Sequence, residues 1–353
     1  MRKIADSHTH IRFNRDEDIS RMIDDISSAG VTAANILSLP YRGAAEDLAA
    51  LWQKMTRKDM DIRAFGGLHI NDRYMDVPPE VQVEKLLDLG CDGFKMMYAP
   101  ALRRFMTEGL DSAKYSKMFS LLEERGTPTT IHVADPEDFW DEGRQYADKS
   151  FPSKKQLYDE IFRVLDAHPR LRVSFAHFFF LSNFPDEAER VMETYPNVRF
   201  DMTPGVEMYY NFDKNLDRWH DFFTKYSDRI LFGTDSGTVN PNNHELVELV
   251  RRKLSESRGI FSQHCYGKDF IVRGLYLDEE TVDKICYRNF FDYDGEKKKV
   301  DENKFYEYCE RMKKSIEADP TEPVTIRSAE LDLKGKTYNS IALDFLDKRL
   351  AGR

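Results

Sequence analysis

Several things are scarce in this chain of 353 residues, and each scarcity closes off a class of function. Cysteine is one: Cys91, Cys265, Cys286 and Cys309 are the whole supply, far apart and without a C-x-x-C pair. That spacing suits reduced thiols better than a disulfide frame. Long apolar runs are another. The longest stretch, around residues 175–181, is broken by His177 and is far too short to span a bilayer. The first residues turn polar within six positions, which gives no secretory apolar segment and leads to the expectation of a cytoplasmic protein. Excess positive charge is also missing: 52 Lys and Arg against 62 Asp and Glu leave a net charge of −10. This argues against nucleic-acid and membrane partners, although arginines or a metal inside a cleft could still attract an anionic small molecule. No glycine-rich phosphate fingerprint follows the first strand, which weakens an open doubly wound sheet as the alternative fold. Internal repeats and low-complexity tracts are absent too.

What is present is ordinary in amount, with 41% hydrophobic and 32% charged residues, and regular in order. Short apolar runs rich in β-branched and aromatic residues occupy positions 4–10, 31–39, 62–69, 93–97, 128–133, 171–177, 198–202 and 230–235. Such runs predict parallel strands buried on both faces. Amphipathic segments separate them, at 18–28, 46–58, 80–89, 115–125, 154–168 and 186–195, with Gly30, Gly90 and Gly126 placed as C-caps. Eight β-α units in this length predict an α/β fold, a (β/α)₈ TIM barrel over residues 1–293. Residues 294–353 differ. A charge run at 296–299 precedes amphipathic helices at 303–317 and 340–350, a C-terminal helical extension expected to pack on the barrel or serve in homo-oligomer contacts.

Catalytic groups of a TIM barrel sit at the C-terminal ends of its strands. Here His8 and His10 end the first strand, Lys95 the fourth, His132 the fifth, His177 the sixth and Asp235 the eighth. Side chains two apart on a strand share a face, so His8 and His10 can hold one cation between them. A zinc-like ion takes His nitrogens and a carboxylate with one position open, and His8, His10, His132 and Asp235 could supply part or all of that shell. His69, although it ends the third strand, His168, His220, His244 and His264 read as ordinary histidines. Tyr98, Arg103 and Arg104 follow Lys95 and are candidate contacts for an anionic substrate. A long polar insertion at 135–150, carrying Phe139 and Trp140, is a candidate lid, with Trp140 a further substrate contact. Phe178-Phe179-Phe180 reads as core packing ahead of a pocket floor.

The segments His8-Thr9-His10, Gly93-Phe94-Lys95, Ile131-His132-Val133, Ala176-His177 and Leu231-Phe232-Gly233-Thr234-Asp235 resemble the motifs of the amidohydrolase superfamily. The nearest branch is amidohydrolase-2, which holds metal-dependent hydrolases and non-oxidative decarboxylases related to aminocarboxymuconate-semialdehyde decarboxylase. The resemblance extends over about residues 1–293, and Tyr287-Arg288-Asn289-Phe290 is similar to the family's closing helix. It implies that His8, His10, His132 and Asp235 ligate a divalent ion, with zinc first, manganese second, and one ion per chain. It implies that His177 either binds a second ion or works as an acid/base, and that Lys95 either bridges two ions as a carbamate or stays an ammonium facing the substrate. The expected activity is hydrolysis of a small carboxylated amide, ester or lactone, with Asp235 and His177 catalytic. Decarboxylation is the alternative and a non-catalytic metal-binding barrel the more distant one.

Overall fold

The computed structural model describes residues 3–11, 15–39, 45–69, 77–104, 106–205, 207–322 and 335–353. Its strands are β1 (Ile4–His10), β2 (Val31–Leu37), β3 (Asp61–Gly67), β4 (Gly93–Met97), β5 (Thr129–His132), β6 (Val173–Phe175), β7 (Val198–Asp201), β8 (Ile230–Leu231) and β9 (Ser236–Gly237). They form one parallel sheet in the order β8-β7-β6-β5-β4-β3-β2-β1-β9. The short β8 and β9 are two pieces of the eighth barrel strand. β8 pairs with β7, β9 pairs with β1, and between them Ser7 N donates to Phe232 O and Asp235 N to His8 O. The sheet therefore closes on itself as a TIM barrel.

Helices cover the outside. The helix Asp16–Ser28 buries Ile19, Met22, Ile23 and Ile26, and three acids in its first turn complement its dipole. The helix Pro79–Leu89 ends at Gly90 with φ 102°. A Cβ at Gly90 would meet Lys299 O at 2.4 Å, so glycine is required both for the left-handed cap and for the close approach of the chain leaving the barrel. Asn289 fastens the closing helix to the barrel by donating to Ser227 O and Ile230 O. The C-terminal helices Glu302–Ala318 and Tyr338–Ala351 lie on the exterior, where Phe305 stacks on Trp52 at 6.1 Å and Arg349 pairs with Asp16. No helix among the described residues is long and apolar enough to cross a membrane.

Two sequence expectations need correction locally. β6 stops at Phe175, so His177 does not close a strand but stands on a tight turn, Ala176–Phe180. The eighth strand is interrupted before Asp235 rather than ending on it. The helix Asn243–Ser255 follows the eighth strand as the helix of the eighth unit, and the antiparallel hairpin Ile260–Cys265/Lys268–Arg273 after it is an addition to the eight-unit pattern.

Candidate metal centre

Along β1, Asp6, His8 and His10 are all buried, and the His8 and His10 side chains share one face. Each imidazole is fixed through Nδ1. His8 Nδ1 lies 2.7 Å from Asp201 Oδ2, and His10 Nδ1 lies 2.7 Å from Leu37 O. A carboxylate and a carbonyl both accept, so each Nδ1 carries a proton and each ring turns its Nε2 inward. Those two Nε2 atoms stand 3.1 Å apart, and Asp235 Oδ1 is 3.2 Å from His10 Nε2. Lone pairs aimed at one another repel unless a cation lies between them. The spacing is that of donors about 2.0–2.2 Å from a common ion. Ligand atoms of His8, His10 and Asp235 fall within 4.8 Å of one another, the one such group among the described residues. The donor set thus fits a divalent ion.

His132 and His177 line the same cavity. Their rings meet edge to face at 4.9 Å, and His177 lies 5.6 Å from the His8 ring. His132 is outside the three-residue group, and its Nε2 is 3.4 Å from Asp135 Oδ1. His177 Nδ1 is buried and has no hydrogen-bond partner among the described residues. Burial, with the neighbouring His132 second, holds the His177 imidazole well below its ordinary value; burial and then Lys95 do the same to His8. Both shifts favour the neutral form of the ring.

The backbone that presents these groups is strained. His177, Phe178, Phe179 and Phe180 have φ of 52–54°, and Asp235 has φ 58°. A left-handed residue other than glycine costs roughly 1–2 kcal/mol. Aromatic packing opposes that cost. Phe178 touches Phe200, Phe212, Trp219, Phe222 and Phe223, while Phe179 stacks on Phe175 at 3.9 Å. Phe178 and Phe179 are core, and Phe180 turns to the cavity beside His132 and His177. Strain of this kind concentrates at functional sites.

Lys95 lies buried in the wall with its Nζ 3.3 Å from His8 Nε2. Burial pushes its ammonium down to about 8 against the opposing pull of Asp201 and Asp235. The cavity encloses about 840 Å³, and the 135–150 insertion contributes Asp135, Phe139, Arg144 and Tyr146 to its lining.

Three expected substrate contacts lie elsewhere. Tyr98 is fully buried and its hydroxyl bonds Glu160 and Glu108 O. Arg103 pairs with the same Glu160 at 2.7 Å. Trp140 donates to Pro152 O and supports Tyr146 from behind at 5.1 Å. None of these belongs to the described lining, and the Arg104 side chain lies outside the described residues. The sequence reading missed Asp6 and Asp201. Asp6 accepts from His8 N and from the Thr234 N–H and hydroxyl, locking β1 to the eighth strand, and burial pushes its carboxyl up to about 7. A carboxylate closing an apolar strand, as Asp201 does, was the signal available for the second. Tyr210 and Tyr266 also line the cavity and have no sequence periodicity to betray them.

Comparison with known proteins gives the family and the fold. The amidohydrolase family model matches residues 16–289, and the chain belongs to that family. The matched span starts beyond the His8–His10 pair. Similar solved structures include a TIM-barrel protein of uncharacterised function from Bordetella bronchiseptica, at 16% identity and TM-score 0.55, covering 83% of this chain and 100% of that one. A 2,6-dihydroxybenzoate decarboxylase from Rhizobium aligns at 14% identity and TM-score 0.53, over 83% and 99% of the two chains. A 4-oxalomesaconate hydratase from Rhodopseudomonas palustris aligns at 12% and 0.51, over 82% and 95%. No protein of curated function matches the chain.

Proposed function

We propose that this chain is a metal-dependent hydrolase that cleaves a small carboxylated amide, ester or lactone. The observation that carries the reading is the double reach of Asp235. Its Oδ1 lies 3.2 Å from His10 Nε2, yet 22% of the side chain is exposed to the cavity. One carboxylate thus serves both the ion position and the space where substrate and water meet. His8, His10 and Asp235 would hold the ion, with His132 as a further donor, and zinc suits this set better than manganese. When bound, the ion polarises a carbonyl and brings the pKa of water from 15.7 toward about 7. Asp235 takes the proton from the attacking water and passes it to the leaving group, while His177, held neutral with Nδ1 unpartnered among the described residues, orients that water. Lys95, left as an ammonium, orients the substrate carboxylate.

Decarboxylation is a second reading with its own observation. Phe139, Tyr146, Phe180, Tyr210 and Tyr266 surround the cavity with aromatic surface suited to a flat unsaturated acid. The two reactions separate in a panel of lactones, amides and unsaturated carboxylates incubated in ¹⁸O-water. Label in a product carboxylate supports hydrolysis. Released CO₂, with deuterium at the vacated carbon in a parallel D₂O incubation, overturns hydrolysis in favour of the lyase.

A further inference from the structure

The two oxygens of Asp201 are divided between two of the histidines of the site, His8 and His177. Oδ2 lies 2.7 Å from His8 Nδ1. Oδ1 accepts the backbone N–H of His177 at 2.9 Å and that of Thr203 at 3.1 Å. The carboxylate is 1% exposed, at the end of β7, and 193 residues from His8 in sequence.

We infer that Asp201 is a positioning residue that sets two groups at once. It holds His8 in the tautomer that leaves Nε2 bare for a cation, and it pins the strained backbone from which His177 faces the substrate. The inference rests on His8 being a metal ligand. A carboxylate behind a ligating imidazole fixes tautomer and ring orientation, and its loss commonly lowers metal affinity about 10–100-fold. His177 adopts φ 54°, which an isolated chain avoids, so an acceptor for its N–H helps keep the turn wound. His10 provides a contrast within the same strand, because its Nδ1 is held by a backbone carbonyl that no substitution at Asp201 alters.

This arrangement makes Asp201→Asn informative. Two backbone N–H groups converge on the Oδ1 position, so the amide must keep its oxygen there. Its NH₂ then faces His8 Nδ1 and forces that nitrogen to accept. The proton moves to His8 Nε2, onto the atom that should bind the ion.

The test uses the full chain, metal-free and ¹⁵N-labelled at histidine, with the His8 and His10 signals assigned from single His→Ala variants. Wild type should show both rings protonated at Nδ1. In Asp201→Asn, His8 alone should switch to the Nε2–H form. Zn²⁺ affinity, measured by chelator competition, should fall about 10–100-fold. An unchanged His8 tautomer with affinity within about threefold of wild type overturns the inference. If Asp201→Asn does not fold, wild type alone decides, because a His8 protonated at Nε2 is incompatible with the proposed role. A wild-type chain that binds no Zn²⁺ overturns the metal reading instead, while the His8 tautomer still reports whether Asp201 sets that ring.

Discussion

His8 and His10 face each other through their Nε2 atoms at 3.1 Å, each ring held from behind by an acceptor on its Nδ1. No proton of a neutral ring lies between them, so the pair is arranged for a cation. Protein purified without chelator should contain about one divalent ion per chain, and His10→Ala should reduce that content to near zero. His132→Ala should lower it less, since its ring sits with His177 and Asp135. Elemental analysis checks this, and full metal occupancy in His10→Ala would remove the pair from the site.

Asp235→Asn keeps an oxygen for the ion position but loses the base. Turnover should fall by at least about 10²-fold while metal content drops only partly. Near-full turnover with metal bound would reduce Asp235 to a structural ligand.

Lys95→Met removes the buried ammonium without opening a large void. Metal content should stay at the wild-type level and KM for an anionic substrate should rise by about tenfold or more. Loss of half the metal would mean instead that Lys95 bridges two ions.

Phe178 anchors the left-handed turn among five aromatic rings. Phe178→Ala should destabilise the protein by about 3–5 kcal/mol. Urea denaturation measures it, and a loss below about 1 kcal/mol would show that other contacts hold the turn.

Lys253 ties the cavity helix Met208–Lys214 to the hairpin through Asp213, Tyr209 O and Arg273 O. Burial pushes its ammonium down to about 8, against about 10.4 in the unfolded chain. Between those values the unfolded state binds more protons, so this residue raises stability as pH rises. Wild type should gain about 1–3 kcal/mol relative to Lys253→Met from pH 8 to pH 10.5. Equal slopes for the two proteins in paired denaturation series would contradict the shift.

The barrel was legible in the sequence because parallel strands buried on both faces are written as apolar runs, and the helices between them as amphipathic periods. The His8-x-His10 pair was legible for a similarly local reason, since residues two apart on a strand share a face. Asp235 could be named from the sequence, though not the break in the strand that gives it φ 58°.

What the sequence could not supply depends on direction across the barrel. Tyr98 and Arg103 follow the right strand but turn outward to Glu160, a residue on a helix 62 positions away from Tyr98. The aromatic triplet reads as core, yet its left-handed winding, which carries Phe180 to the cavity, comes from packing against Phe200 and Phe212. Asp201 is one acid among many until the fold sets it behind His8. Strand ends are local and periodic, so the chain alone determined the barrel and its candidate donors. Which donors converge, and how each ring is turned, follows from contacts between different strands, from His10 with Leu37 to His8 with Asp201 193 positions away, and only the tertiary structure decided that.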